Sequence, residues 1–207
     1  MPRDATPTRS RLLREAERLF AERGVHQVTV REITMAAGQR NPSVVHYHFG
    51  SMDGLRRVIL DTHEAPLDAL RGQMLAEVGE RATTRDLVST LLIPYATSLE
   101  TESGRDFLRI VNQLSSGFSA WERQTAVSPH LVRILRLLRD RHRDQPPAAR
   151  EERIVAVIVL ISGLFAERAR MTERRRSVRS PDDAFISNMA DMIVAMLEAP
   201  TGPILTE

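Results

Sequence analysis

The chain has 207 residues, 42% of them apolar and 27% charged, which supplies a filled core and excludes a disordered polar chain. All 29 basic residues are arginines and the formal net charge is only +2, but residues 1–50 hold 8 Arg against 5 acids, so the positive excess lies at the N-terminus, where phosphate attraction would be useful. The absence of cysteine excludes disulfide scaffolds and thiolate sites, and the longest apolar run, Ile154 to Phe165, is broken by Ser162 and Gly163 and is too short to span a bilayer.

With only 4% aromatics beside abundant Leu, Ile, Val, Ala, Met and Arg, the composition favours an all-α protein of about nine helices. The first should run from near Thr8 to about Arg23, because Leu12, Leu13, Ala16, Leu19 and Phe20 share one helical face and Gly24 offers a C-cap. Thr29, with Glu32 three residues on, has the spacing of a capping box and opens a short second helix that ends at Gly38. Asn41-Pro42 repeats the start signal, Asn as cap and Pro at the first helical position, for a third helix reaching His48 or Phe49. Ser51 caps a fourth helix from Met52 to about Leu75, with Asp53 in its first turn and a kink expected at Pro66. Further helices are expected near 83–100, 104–120, 128–143, 148–172 and 182–198, separated by Gly, Ser and Pro signals.

Two short helices joined by a tight turn and resting on a longer amphipathic one form the layout of a DNA-reading helix-turn-helix. Phe20-Ala-Glu-Arg-Gly, Thr29-Val-Arg-Glu-Ile, Ala36-Ala-Gly and above all Val45-His-Tyr-His-Phe-Gly-Ser resemble the TetR family of bacterial transcriptional regulators over about residues 8–60. The chain departs from the usual family run at Val45 and His46, has Met52 where a Lys is usual, and has a turn, Gln39-Arg40-Asn41, one residue longer. The resemblance implies an N-terminal helix-turn-helix domain over 1–50, a helical effector-binding and dimerisation domain over 51–200, and a tail over 201–207.

Arg31, Gln39 and Arg40 suit base edges, since Arg and Gln pair bidentately with G and A, and Val44 suits a thymine methyl. Asn41, Pro42, Ser43, His46 and His48 complete the face expected against the groove. Thr29, Tyr47 and Ser51 suit phosphate oxygens, contacts that set register without reading sequence. His46 and His48 stand two apart on a helix, not at the i, i+4 spacing of a shared metal, and no nucleophile elbow, Gly-rich phosphate loop or H-E-x-x-H run occurs. The carboxylates mostly sit near Arg, as solvated helix pairs would. No enzyme, metal or cofactor is therefore expected.

In the body, the resemblance implies a small-molecule pocket enclosed by helices four to seven. His63, Met74 and Tyr95 facing Phe107, Asn112, Gln113, Ser116, Phe118 and Trp121 give the apolar walls and few polar groups of a ligand site. It also implies a homodimer through the last two helices, where Ile154, Ile158, Ile161 and Phe165 on one, with Phe185, Met189, Met192, Ile193 and Met196 on the other, offer a large apolar surface. The function implied is a cytoplasmic, nucleoid-associated repressor that binds a pseudo-palindromic DNA operator as a dimer and is released by a hydrophobic effector. A DNA-binding regulator or architectural protein without an effector, and a helical small-molecule-binding protein or enzyme, are the alternatives. No membrane partner is expected.

Overall fold

The computed structural model describes residues 5–115, 128–173 and 182–201. Among the described residues there are nine α-helices and no strand: α1 Ala5–Arg23, α2 Val30–Ala36, α3 Ser43–Phe49, α4 Met52–Val78, α5 Thr84–Thr97, α6 Glu102–Leu114, α7 Pro129–Arg141, α8 Pro147–Glu173 and α9 Asp182–Glu198, with a 3-10 turn at Ser98–Glu100. No helix among these residues is long and apolar enough to cross a membrane.

Two apolar cores organise the chain. The first is built by Leu12, Ala16 and Phe20 of α1, Ile33 of α2 and Val45 and Phe49 of α3, and it takes in Leu55 and Ile59 of α4 and Ile110 of α6. The second lies among α4 to α9 around Leu87, Leu91, Phe107, Ile134, Val157, Phe165 and Ile193. α4 belongs to both, with Leu55 and Ile59 at one end and Leu67 and Leu75 at the other. α6 bridges them too, packing along α8 on one side and against α1 on the other. Complete burial of side chains such as Leu12, Phe20 and Ile33 contributes roughly 1.5–3 kcal/mol each.

Several boundaries differ from the sequence reading. α3 starts at Ser43, yet Pro42 already has helical dihedrals (φ −59°, ψ −24°) and the Asn41 side chain accepts the Ser43 N–H at 3.0 Å, so Asn41 performs the capping. α4 runs on to Val78, three residues past the expected end, because its stop is Gly79 in a left-handed conformation at φ 65°. The helix expected over 83–100 is α5 followed by the 3-10 turn: Pro94 has no N–H to donate, and Thr101 starts α6 by accepting the Gly104 N–H at 3.0 Å. The remainder of the helix expected over 104–120 lies outside the described residues.

Candidate nucleic-acid interface

α2 and α3 are held from behind and left open in front. Thr29 and Glu32 form the capping box: the Thr29 hydroxyl accepts the Glu32 N–H at 3.3 Å, while Glu32 Oε2 accepts the Thr29 N–H and hydroxyl, each at 2.8 Å. Arg23 at the end of α1 closes on the other carboxylate oxygen at 2.7 Å. The Thr29 N–H and hydroxyl, with Arg23, hold the Glu32 carboxyl down at about 2. The start of α2 is thus tied to the helix that supports it.

On α3, Val45 and Phe49 turn into the core, and Ser43, His46 and Tyr47 face solvent, Tyr47 at 79% exposure. Arg31, Arg40, Asn41, Pro42, Thr29 and Ser51 are exposed as well, and Gln39, Val44 and His48 are half-buried at the rim. His48 lies edge-on to Tyr47 at 5.0 Å between ring centroids, which fixes its orientation. Ser51 accepts the Gly54 N–H at 2.9 Å, leaving its hydroxyl proton free for an outside acceptor. The turn into α4 is tight: Gly50 has φ 74°, and a Cβ at Gly54 would collide with the Phe49 carbonyl oxygen.

Two members of this face escaped the sequence reading. Arg9 of α1 places its guanidinium 5.2 Å from the centre of the Phe49 ring, adding a cation beside the end of α3. Forty residues separate the pair, so no local spacing signals it. Met35 is 66% exposed one turn after Arg31; burial of Ile33 and Ala37 forces it outward, a pattern visible in the sequence. Among the described residues no group of three or more His, Cys, Asp or Glu side chains is placed to hold a metal ion.

The residues expected around a pocket are not gathered in one place. His63 sits at the junction of α1, α4 and α6, with its Nε2 2.7 Å from Glu17 Oε1 and its ring stacked on Phe107 at 4.6 Å. Ser103 donates to the same Glu17 oxygen at 2.7 Å and lies 3.4 Å from the same His63 nitrogen. Serine, histidine and carboxylate are present here, but acid and hydroxyl share one ring nitrogen, so the histidine cannot relay a proton between them as a triad does. Gln113 also serves this junction, accepting the Val25 N–H at 2.7 Å and donating to the Phe20 carbonyl at 3.1 Å. Nearby, burial pushes the Asp106 carboxyl up to about 7, against the opposing pull of Arg109 and with help from Glu173, Glu17 and Glu102.

Tyr95 lies elsewhere, on the wall of an apolar cavity of about 20 Å³ between α5, α6, α7 and α8, room for roughly one water molecule. Met74 and Asn112 are half-buried outside that lining, and Ser116, Phe118 and Trp121 lie outside the described residues. Behind Tyr95 stand charges that the sequence reading took for solvated pairs. Glu64, Asp68 and Arg71 are 1%, 4% and 0% exposed. Their i, i+4, i+7 spacing puts them on the inward face of α4 with Leu67 and Leu75, which is the signal that should have been read. Burial opposes the Arg71 charge, but Tyr95, Glu64 and Asp68 outweigh it and its pKa is raised. Burial also pushes the Tyr95 hydroxyl up, with Glu64 adding to the shift.

The expected dimer residues are mostly inside the single chain. Ile154, Ile158, Ile161, Phe165, Met189 and Ile193 are buried in the second core, Phe185 and Met196 are half-buried, and Met192 alone of the set is exposed, at 40%. The middle of α8, Ile154 to Phe165, is apolar nearly all round, and periodicity cannot say which side turns inward. The side left open carries Val159, 51% exposed.

The family described as bacterial regulatory proteins, tetR family, matches residues 12–59, the three helices of this interface and the first turns of α4. The fold is similar to that of NalD, the secondary repressor of the MexAB-OprM multidrug efflux pump in Pseudomonas aeruginosa, at 24% identity, covering 93% of this chain and 96% of that one, with a TM-score of 0.62. It is also similar to the fatty acid degradation regulator FadR from Bacillus halodurans (14% identity, 95% and 98% covered, TM-score 0.55) and to Salmonella enterica GusR (20%, 96% and 99%, 0.51). No curated protein matches the chain. At these identities the likeness to solved structures establishes the shared fold.

Proposed function

The chain belongs to the tetR family of bacterial regulatory proteins through its N-terminal residues 12–59, and from that premise we propose that it is a ligand-responsive repressor, binding a pseudo-palindromic DNA operator as a homodimer. The observation that carries this reading is the polar strip of Arg31, Arg40, Ser43, His46 and Tyr47, exposed on a two-helix unit whose opposite face is locked into apolar core. A helix presented in that way fits a major groove roughly 12 Å wide.

On this reading residues 1–50 bind DNA, 51–200 bind the effector and the second copy, and 201–207 are a tail. Arg31, Gln39, Arg40, Ser43, Val44, His46 and His48 meet base edges, and Thr29, Asn41, Tyr47 and Ser51 meet the backbone, joined by Arg9. Two copies meet through the open side of α8 and α9 around Val159 and Met192, with Phe185 and Met196 at the margin. A hydrophobic effector enters between the helices of the body and, through α4, shifts the spacing of the two recognition helices away from the roughly 34 Å of one DNA turn. The protein acts where the DNA is, in the bacterial cytoplasm, and catalyses no reaction.

Footprinting across the region upstream of the protein's own gene tests this reading. Protection of two half-sites one helical turn, or a multiple of it, apart is the expected result. Protection that is uniform along the DNA, or absent at low salt, would refute it.

A further inference from the structure

Inside the body, behind Tyr95, five polar side chains meet that the DNA-binding role does not use. Arg71 donates from Nη1 to Glu64 Oε2 at 2.9 Å, Tyr95 donates its hydroxyl to Glu64 Oε1 at 3.0 Å, and Ser128 donates to Glu64 Oε2 at 3.2 Å. Asp68 accepts the backbone N–H groups of His130 and Leu131, at 3.1 and 2.9 Å, at the start of α7. The carboxylate oxygens are therefore all hydrogen-bonded. The donors are not: Nε and Nη2 of Arg71 are buried without a hydrogen-bond partner, although the side chain is 0% exposed.

We infer that Arg71 is the hydrogen-bonding anchor of the effector, and that the effector is an uncharged, largely apolar molecule carrying a carbonyl-type oxygen. This rests on the effector-responsive reading above and gives it a chemistry. A buried guanidinium with two of its three nitrogens unmatched is incomplete by the rule that buried donors are paired. Each carboxylate oxygen of the cluster already has a hydrogen-bond partner, so the unmatched groups of the resting arrangement are the Arg71 donors.

Charge selects among possible acceptors. Glu64 and Asp68 together already outnumber the one positive charge of Arg71, so a carboxylate ligand would put a third anion into a buried space, where like charges repel at low dielectric. A cation would leave the Arg71 donors unmatched and set a second positive charge beside the guanidinium. A neutral carbonyl oxygen can accept one N–H from Nε and one from Nη2 and adds no charge. The rest of the ligand is specified by Tyr95, whose hydroxyl belongs to the polar cluster and whose ring faces the guanidinium at 4.9 Å. The same residue lines the cavity with Leu91, Val111, Leu131, Leu135 and Ile158. At about 20 Å³ that cavity must open to admit even a ring-sized molecule, so binding displaces the helices around it, α6 among them, which also packs on α1.

Ligand-detected NMR titration of the full-length protein with acetophenone, ethylbenzene and benzoate compares one ring bearing a neutral carbonyl, no acceptor and an anion. Acetophenone is expected to bind at least about tenfold more tightly than either of the others, as one hydrogen bond from a charged donor confers. In the variant Arg71→Met, Glu64→Gln, that advantage is expected to fall below about threefold, with ethylbenzene unchanged. If the variant does not fold, the wild-type ranking remains decisive. Equal binding of ethylbenzene and acetophenone overturns the anchor while leaving an effector site in place. Tightest binding of benzoate overturns the neutral class. Binding of none of the three overturns the inference and counts against the effector reading as well.

Discussion

The two cores of this chain are built on opposite principles. Around α1, α2 and α3, the buried described residues are apolar except for Glu17 and Thr34, and polar groups are turned outward onto the α2–α3 face. The body buries Glu64, Asp68, Arg71, Asp106, Ser128 and Arg168 among its aliphatic side chains. Replacing a buried ion pair by apolar groups of the same volume is often neutral or stabilising, so stability alone does not account for this choice. On the proposed function, the contrast is that of a support for a DNA-facing surface and an interior that keeps polar groups for an effector.

The largest effect is expected in the body. Glu64→Ala leaves the Arg71 charge buried without its hydrogen-bonded carboxylate, with only the more distant Asp68 beside it, and should cost about 3–5 kcal/mol in chemical denaturation. Exchange of both members, Arg71→Met with Glu64→Gln, should recover most of that loss; a Glu64→Ala cost below about 1 kcal/mol would place the pair in solvent after all. Asp106 comes next. Its carboxyl is raised to about 7 in the folded chain, so the fold binds a proton that the unfolded chain has released, and stability declines as pH rises from about 4 through 7. Asp106→Asn should flatten that decline, with a gain on the order of 1–2 kcal/mol at pH 8 relative to pH 5, read from urea midpoints.

Around the first core the effects on stability shrink. Thr29→Ala removes the capping box of α2 and should cost about 1 kcal/mol, with Glu32 returning toward its ordinary pKa in an NMR titration. Tyr47→Ala should leave the melting temperature almost unchanged, within about 0.5 kcal/mol, because the side chain is 79% exposed. A large loss of stability at Tyr47 would mean that α3 is packed differently.

The same contrast explains what was legible in the sequence. The helices of the first core are written in local signals, Thr29 with Glu32, Asn41 with Pro42 and Ser51 before α4, and each forms the expected cap. The all-helical class and the order of helices follow from the same kind of pattern. The body depends on distant pairings: Tyr95 reaches Glu64 across 31 positions, Ser128 reaches it across 64, and Gln113 closes on Val25 across 88. No periodicity encodes such contacts, so the bonds of His63 to Glu17 and of Gln113 to Phe20 and Val25 could not be read from the sequence. α8 shows a further limit, since a helix apolar on several faces hides which of them meets the core. Ile154 and Ile158 meet it; Val159 does not.

Division of labour between the two regions is tested most directly by fluorescence anisotropy of a labelled duplex from the upstream region against a scrambled duplex, for the wild type, Arg40→Ala and Tyr47→Ala at two salt concentrations. Wild type is expected to prefer the upstream duplex by about a thousandfold or more and to weaken steeply with salt. Each substitution is expected to cost about tenfold in affinity with the melting temperature unchanged. Equal affinity of the wild type for both duplexes, or undiminished binding in both variants, would contradict the assignment of DNA reading to the α2–α3 face.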